Sequence, residues 1–247
     1  MKKLISVIVT LALCCMLAPA GAEEGTLAGT WYLTGADMGS AEIRLYDPEA
    51  FVLTLSGDNT YTMKADSYGL TSSGAWTATD SVLTLEIWGQ TLGLRISGDV
   101  LELVSGTNTV YLSRTPAEPV KLPAVVPAET TDAFNGSWVP CAVITAGLYA
   151  VPGEDTAGQL GMLQIDGGKV VAMEDAGDGG QIAGIVYEGI LSDGAMILHD
   201  TTDYDAAPAT TTEITLYLLE DGTLFSRTVI HTGTETDMEI LFVYTAV

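Results

Sequence analysis

The triplet Gly29-Thr30-Trp31 returns as Gly136-Ser137-Trp138, 107 positions later (136 minus 29). Each copy opens a run of short segments in which apolar and polar residues alternate, broken by Gly and Asp. That is the sequence form of β-strands joined by tight turns. No stretch keeps a 3.6-residue apolar period long enough for a structural helix, so the chain reads as all-β with two similar starts.

Before the first copy, Met1-Lys2-Lys3 is basic, Leu4 to Leu17 is an apolar run, and Ala20-Gly21-Ala22 is a small-residue site preceding Glu23. Residues 1–22 therefore read as a secretory signal peptide. The apolar run is shorter than the roughly 20 residues a spanning helix needs, and no later segment is long and apolar enough, so no transmembrane segment is expected. Cys14 and Cys15 raise lipid anchoring at the cell surface as the alternative to free secretion, although bulky Leu13 precedes Cys14 where a small residue is usual.

Cleavage would remove two lysines and leave seven basic against 32 acidic residues, a charge of −25. Phosphate backbones and anionic membrane faces bind basic surfaces, so nucleic acid is excluded as a natural partner. Only Cys141 would remain, which rules out an intramolecular disulfide and leaves burial and hydrogen bonding to hold the fold.

Pro116, Pro119, Pro123 and Pro127 concentrate four of the nine prolines in one stretch. Such spacing favours polyproline II and a semi-rigid spacer. The expected organisation is a first domain at 27–115, a Pro-rich linker at 116–133 and a second domain at 134–247.

Strands are expected in the first domain at 30–34, 41–46, 51–56, 60–65, 73–79, 81–88, 91–97, 100–104 and 109–114. Residues tolerant of positive φ fall between them, as in Gly57-Asp58-Asn59 and Gly98-Asp99. Alternation assigns Trp31, Leu53, Leu55, Tyr61, Trp76, Leu83, Leu85, Leu94, Leu101 and Leu112, with others of the same parity, to one buried face. Glu42, Arg44, Thr62, Lys64, Glu86 and Arg95 fall on the other. The interior is expected to be packed solid.

Gly29-Thr30-Trp31 on the first strand, Asp58-Asn59-Thr60-Tyr61 at a hairpin, Gly74-Ala75-Trp76 midway and Val110-Tyr111-Leu112-Ser113-Arg114 at the end resemble the lipocalin-like β-barrel domains of secreted bacterial proteins. The resemblance covers about 89 residues and implies a closed or nearly closed eight-stranded up-and-down antiparallel barrel, sometimes with a ligand cavity. It further implies that Trp31 closes the barrel base under Arg114, whose parity agrees, and it names no ligand.

In the second domain strands are expected at 160–166, 169–174, 181–191, 195–200, 213–219, 224–231 and 238–245. Aligning the two ends places Ala246 where Arg114 stands, so the closing Arg is missing unless Arg227 serves, and the repeat is degenerate or only analogous. Trp138 takes the place of Trp31. Phe225 and Val229 share a parity with Arg227 and His231, which marks either a pocket or an edge strand facing solvent, the edge being preferred.

Reactive residues are few. His199, His231 and Cys141 lie too far apart in sequence for a metal-ligand spacing, and nothing local orients a Cys/His nucleophile. Asp200, Asp203 and Asp205 form an oxygen-rich loop that lacks the EF-hand order, so it is a weak calcium candidate and reads as a solvated turn. Glu174 to Gly180 is similar, and Asn135-Gly136-Ser137 reads as a turn before a strand although it matches a glycosylation sequon. No cofactor and no catalytic set are expected. The function expected is a secreted non-catalytic binding or interaction module for a small molecule, glycan or surface protein, with Trp88, Arg227 and His231 as weak ligand-binding candidates. The alternative is a carboxylate-dependent hydrolase with its site in the second domain.

Overall fold

A computed structural model of the chain describes residues 27–39, 41–65, 70–87, 89–153, 161–175, 181–201, 211–231 and 237–247. The expected signal peptide, Trp88, Asp203 and Asp205 lie outside the described residues. The chain divides into two compact units, Met1–Val120 and Lys121–Val247.

The first unit contains β1 (Gly29–Asp37), β2 (Ala41–Leu45), β3 (Val52–Leu55), β4 (Thr60–Ala65), β5 (Leu70–Ala78), β6 (Val82–Ile87), β7 (Gln90–Ser97), β8 (Val100–Ser105) and β9 (Asn108–Ser113). All nine expected strands are present, with ends displaced by at most a few residues. β1 pairs with β3, each strand from β3 to β8 pairs with the next, and β9 returns to β1. All pairings are antiparallel, and the eight strands close a barrel. Closure leaves no row of unpaired backbone groups at a sheet edge. β2 lies outside the circuit, against the far end of β1. The inward parity is the expected one, and Trp31, Leu53, Leu55, Tyr61, Trp76, Leu83, Leu85, Leu101 and Leu112 form one continuous buried cluster.

The second unit contains β10 (Val125–Val126), a 3-10 turn at Thr131–Phe134, β11 (Gly136–Thr145), β12 (Leu148–Pro152), β13 (Met162–Asp166), β14 (Lys169–Asp175), β15 (Gln181–Ser192), β16 (Ala195–Asp200), β17 (Thr211–Leu219), β18 (Leu224–His231) and β19 (Met238–Ala246). β11 pairs with β13, the strands from β13 to β19 pair in order, and β19 returns to β11. This is again an eight-stranded antiparallel circuit.

The correspondence goes down to register. Gly29, Thr30 and Trp31 face Leu55, Thr54 and Leu53, while Gly136, Ser137 and Trp138 face Ile165, Gln164 and Leu163. The register of β1 against β9 slips between Leu33 and Gly35, and that of β11 against β19 slips between Pro140 and Ala142, which places the extra residues, Thr34 and Cys141, 107 positions apart. A bulge there bends the first strand, whose second half stays paired with the last strand of the barrel but exchanges its other neighbour for a hairpin partner. Ala36 then pairs with Ile43 and Val143 with Ala150, once more at the 107-residue offset.

Two features differ from expectation. β18 is not an edge: it is paired along its length with β17 and with β19. Its inward residues are Leu224, Ser226, Thr228 and Ile230, whereas Phe225, on the other parity, packs against a separate outer cluster of Ala142, Ile144 and Val243. A second apolar layer outside the barrel is what made the parity of this strand ambiguous. Within the Pro-rich stretch, Val125 and Val126 pair with Leu219 and Leu218, the Ala128 N–H donates to the Gly194 carbonyl at 2.9 Å, and Phe134 is fully buried, so residues 125–134 are built into the second unit.

Candidate functional site

The base of each unit is built on the same device. Trp31 is 1% exposed, its indole Nε1 donates to the Leu27 carbonyl at 3.0 Å, and Trp138 Nε1 donates to the Phe134 carbonyl at 2.9 Å, each four residues back. A buried indole needs such an acceptor. In the first barrel the Arg114 guanidinium lies 4.1 Å from the Trp31 ring and donates through Nη1 to the Ala28 carbonyl at 2.7 Å. Gly29, with φ at 128°, leaves room for it, since a Cβ there would strike the guanidinium. In the second barrel Trp138 is paired with Ala246, and Arg227 is instead joined to Glu239 at 2.6 Å on the exposed outer wall. Asn135 accepts the Gly167 N–H at 2.8 Å, which accounts for its side chain as part of the base turn.

Following the registers from each Trp gives the equivalent inward positions of the two interiors. Leu112 pairs with Leu101, and Tyr244 with Leu224. One step further, Leu103 faces Val110, and Ser226 faces Phe242. On the other side, Tyr61 faces Gly74 where Val170 faces Tyr187, and Trp76 with Leu85 corresponds to Gly189 with Leu198. The second interior thus has hydroxyls at Tyr187, Ser226 and Tyr244 where the first has Gly74, Leu103 and Leu112. It has Gly189 and Val170 where the first has Trp76 and Tyr61.

These exchanges differ in how their polar atoms are satisfied. In the first barrel Tyr61 donates its hydroxyl to the Glu86 carbonyl at 2.8 Å, and Gly74 is needed beside it because a Cβ there would sit 2.5 Å from that same carbonyl. Trp76 Nε1 donates to the Ser56 carbonyl at 3.1 Å. In the second barrel burial pushes the Tyr244 hydroxyl up to about 12, with the Ser226 hydroxyl acting against the rise and Tyr187 adding to it, so the phenol stays protonated. Ser226 is 1% exposed and its Oγ has no partner in hydrogen-bond geometry, although its hydroxyl acts on Tyr244. An unpaired buried hydroxyl is uncommon in folded proteins and calls for a reason.

At the end opposite the Trp residues the barrels diverge further. In the first, β6 and β7 pair from Val82–Ile87 to Gln90–Arg95 across residues 88–89, and Ile87 is buried. In the second, β16 and β17 pair only through Met196–Leu198 and Ile214–Leu216 and are connected by residues 201–210. Asp200, paired with Tyr187, stands where the first barrel has Ile87. Met238 continues the inward parity of Ile240, Phe242 and Tyr244 yet is 42% exposed, and Ile185, beside the bulge in the β14/β15 ladder, is 36% exposed. The upper inner wall of the second barrel is therefore apolar and open to solvent.

The other candidates are scattered. His231, on the outer face of β18, has Nδ1 2.9 Å from Asp237 and Nε2 3.5 Å from Glu213, the latter not aligned as a hydrogen bond. His199 is on β16 opposite Glu188. Cys141 occupies the β11 bulge, where burial pushes its thiol up, a backbone hydrogen bond opposes the rise and Asp221 adds to it. Among the described residues no three His, Cys, Asp or Glu side chains are placed to hold a metal ion. A shallow groove lined by Ser137, Gln164, Asp166, Lys169 and Val171 runs along the outer base. Sequence reasoning missed Ser226, Tyr187 and Tyr244. For Ser226 the signal was the alternation of β18 beginning at Leu224, which places it among inward positions.

No family model and no curated protein match the sequence. A solved structure of a protein with unknown function, from the DUF3598 family of Nostoc punctiforme PCC 73102, is similar over 90% of this chain and 96% of its own, at 13% identity and a TM-score of 0.31.

Proposed function

We propose that the protein is a secreted, non-catalytic binding module made of two lipocalin-like barrel domains joined through the start of the Pro-rich stretch, from residue 116, with residues 1–22 as its export signal. The first barrel, closed at its base and filled by Trp76 and Tyr61, serves as a scaffold, and the second receives a small apolar or amphipathic molecule through its open end. The observation that carries this reading is Met238, an inward side chain at 42% exposure, above an interior that has Gly189 and Val170 where the first barrel is filled by Trp76 and Tyr61. Apolar surface left open at the end of a barrel costs solvation free energy that a ligand would recover. The carboxylates needed by a hydrolase would have to converge in a pocket. Glu213 and Asp237 instead flank His231 on the outer wall, which supports the non-catalytic reading.

The test is titration of the full chain with N-phenyl-1-naphthylamine, a neutral probe that brightens in apolar surroundings. Saturable binding is expected, abolished by Ile185→Asp with the melting temperature of the first barrel unchanged. No saturable binding, or binding indifferent to Ile185→Asp, would overturn the proposal.

A further inference from the structure

Ser226 is the least expected residue of the second interior. Its neighbours across the ladder are Leu216 and Phe242, and the equivalent position in the first barrel is Leu103. Its hydroxyl is fully buried with no partner in hydrogen-bond geometry, Tyr244 being the one polar group it acts on, whereas in the first interior the Tyr61 hydroxyl and the Trp76 Nε1 each reach an acceptor. Up the same strand and on the same parity follow Thr228, half-buried, and Ile230, which pairs with the exposed Met238. The inner face of β18 thus carries two hydroxyls in line, descending from the open end into the core.

From this placement we infer that Ser226 is the specificity-determining residue of the second barrel, and that it hydrogen-bonds the uncharged polar end of an amphipathic ligand, a hydroxyl or a carbonyl. The inference rests on the binding role proposed above.

The charge state of the ligand end follows from the surroundings. The inward residues adjoining Ser226 are Leu216, Leu224, Thr228, Phe242 and Tyr244, with no cation among them. A carboxylate taken to that depth would lose its hydration without a counter-charge, and an ammonium would meet only hydroxyls. Tyr244 remains a neutral phenol, able to donate to the same ligand oxygen. A hydroxyl or carbonyl needs no counter-charge and can satisfy Ser226 Oγ, which otherwise bears the desolvation cost alone. Met196 supplies the adaptability the site requires: its unbranched side chain packs against Gly189, where any Cβ would strike it, and a flexible thioether can move aside for a ligand.

The experiment compares 1-octanol, octanoate and octylammonium as competitors of N-phenyl-1-naphthylamine on the full chain, for the natural protein and for Ser226→Ala. The expected order is 1-octanol ahead of both ions. Ser226→Ala should weaken 1-octanol about tenfold, the equivalent of one neutral hydrogen bond, and by more than it weakens the probe, whose own affinity is measured separately for each protein. Ser226→Ala should also leave the melting temperature unchanged or raised, because the unpaired hydroxyl is gone. If the probe binds but 1-octanol is insensitive to Ser226→Ala, or an ion binds as tightly as the alcohol, the role of Ser226 is refuted while the binding role stands. If the probe itself fails to bind, the proposed function falls and this inference with it.

Discussion

The two barrels share their first-strand Trp, the backbone acceptor four residues before it, the bulge, the hairpin after the bulge and the ladder registers, yet they differ at both ends and in between. The first is closed below by Arg114 against Trp31 and is filled by Trp76 and Tyr61, whose polar atoms all reach backbone carbonyls. The second has Ala246 below, Gly189 and Val170 in the middle, three interior hydroxyls and an open upper wall. Departures from the consistent plan of a core are expected where a chain does something besides fold. They fall in the second barrel, and the first shows what the plan is without them.

The largest effects expected are at the shared base. Trp31→Ala and Trp138→Ala should each cost about 3–5 kcal/mol in urea unfolding. The difference between the barrels should appear in the double mutants. Trp31→Ala and Arg114→Ala should be coupled by about 0.5–2 kcal/mol, since one cation–π contact can be lost only once. Trp138→Ala and Arg227→Ala should instead be additive. Additive losses in the first pair would mean that the guanidinium contributes nothing to closure.

Next in size is the interior exchange. Leu103→Ser should destabilise the first barrel by about 2–4 kcal/mol, through lost burial and an added unpaired hydroxyl. Ser226→Ala should change the second by less than about 1 kcal/mol and in the stabilising direction. Equal losses at both positions would show that Ser226 is an ordinary structural hydroxyl.

A smaller contrast concerns Cys141, the second barrel's counterpart of Thr34. Because burial holds its thiol above the ordinary range, less thiolate is present at pH 8 than in a free cysteine. Labelling by a disulfide reagent should be slower than for a cysteine peptide and should accelerate only as the pH is raised further. Labelling at the peptide's rate would place the thiol in solvent.

The smallest effect belongs to an Asp-x-Thr turn found in each barrel, between β3 and β4 in the first and between β17 and β18 in the second. Asp58 accepts from Thr60 N–H and Oγ1, and Asp221 accepts from Thr223 N–H and Oγ1. Those hydrogen bonds hold both carboxyls below the ordinary Asp value. A depressed folded value means stability that is present above the unfolded pKa, near 4, and is lost as the pH falls through the folded one. Asp58→Asn and Asp221→Asn should therefore flatten the fall in stability slightly below pH 4 and alter little at pH 7. Both groups are almost fully exposed, so screening keeps the effect small.

The first barrel was legible because its circuit strands from β3 to β7 alternate around one core, with only β1 bulged and β2 outside the circuit, and because its closing pair, Trp31 and Arg114, sits on matching parity. The second was harder for identifiable reasons. Cys141 is the bulge residue, so Gly136–Thr145 shifts its parity midway and ends in the buried run Ala142, Val143 and Ile144, which no single alternation describes. Leu148–Pro152 was missed because it is short and ends in a proline. Val125–Val126 lies among prolines that pointed to an unpaired spacer. Ser226 was passed over because a polar residue in a strand reads as outward unless the alternation from Leu224 is followed through it. Phe225 and Arg227, which drew attention instead, belong to the outer wall.

The account rests on the ligand entering the second barrel and not the first, whose middle is filled by Trp76 and Tyr61, and exposed inward residues at the upper end of each barrel are suited to testing it: Met238 and Ile185 in the second and Leu70, at 47% exposure on the parity of Ser72 and Trp76, in the first. The direct measurement is N-phenyl-1-naphthylamine binding to Met238→Asp and Leu70→Asp in otherwise intact chains. Loss of binding in Met238→Asp with full retention in Leu70→Asp is the predicted result. Retention in Met238→Asp, or loss in Leu70→Asp, would place the open site elsewhere and contradict the assignment of the two barrels.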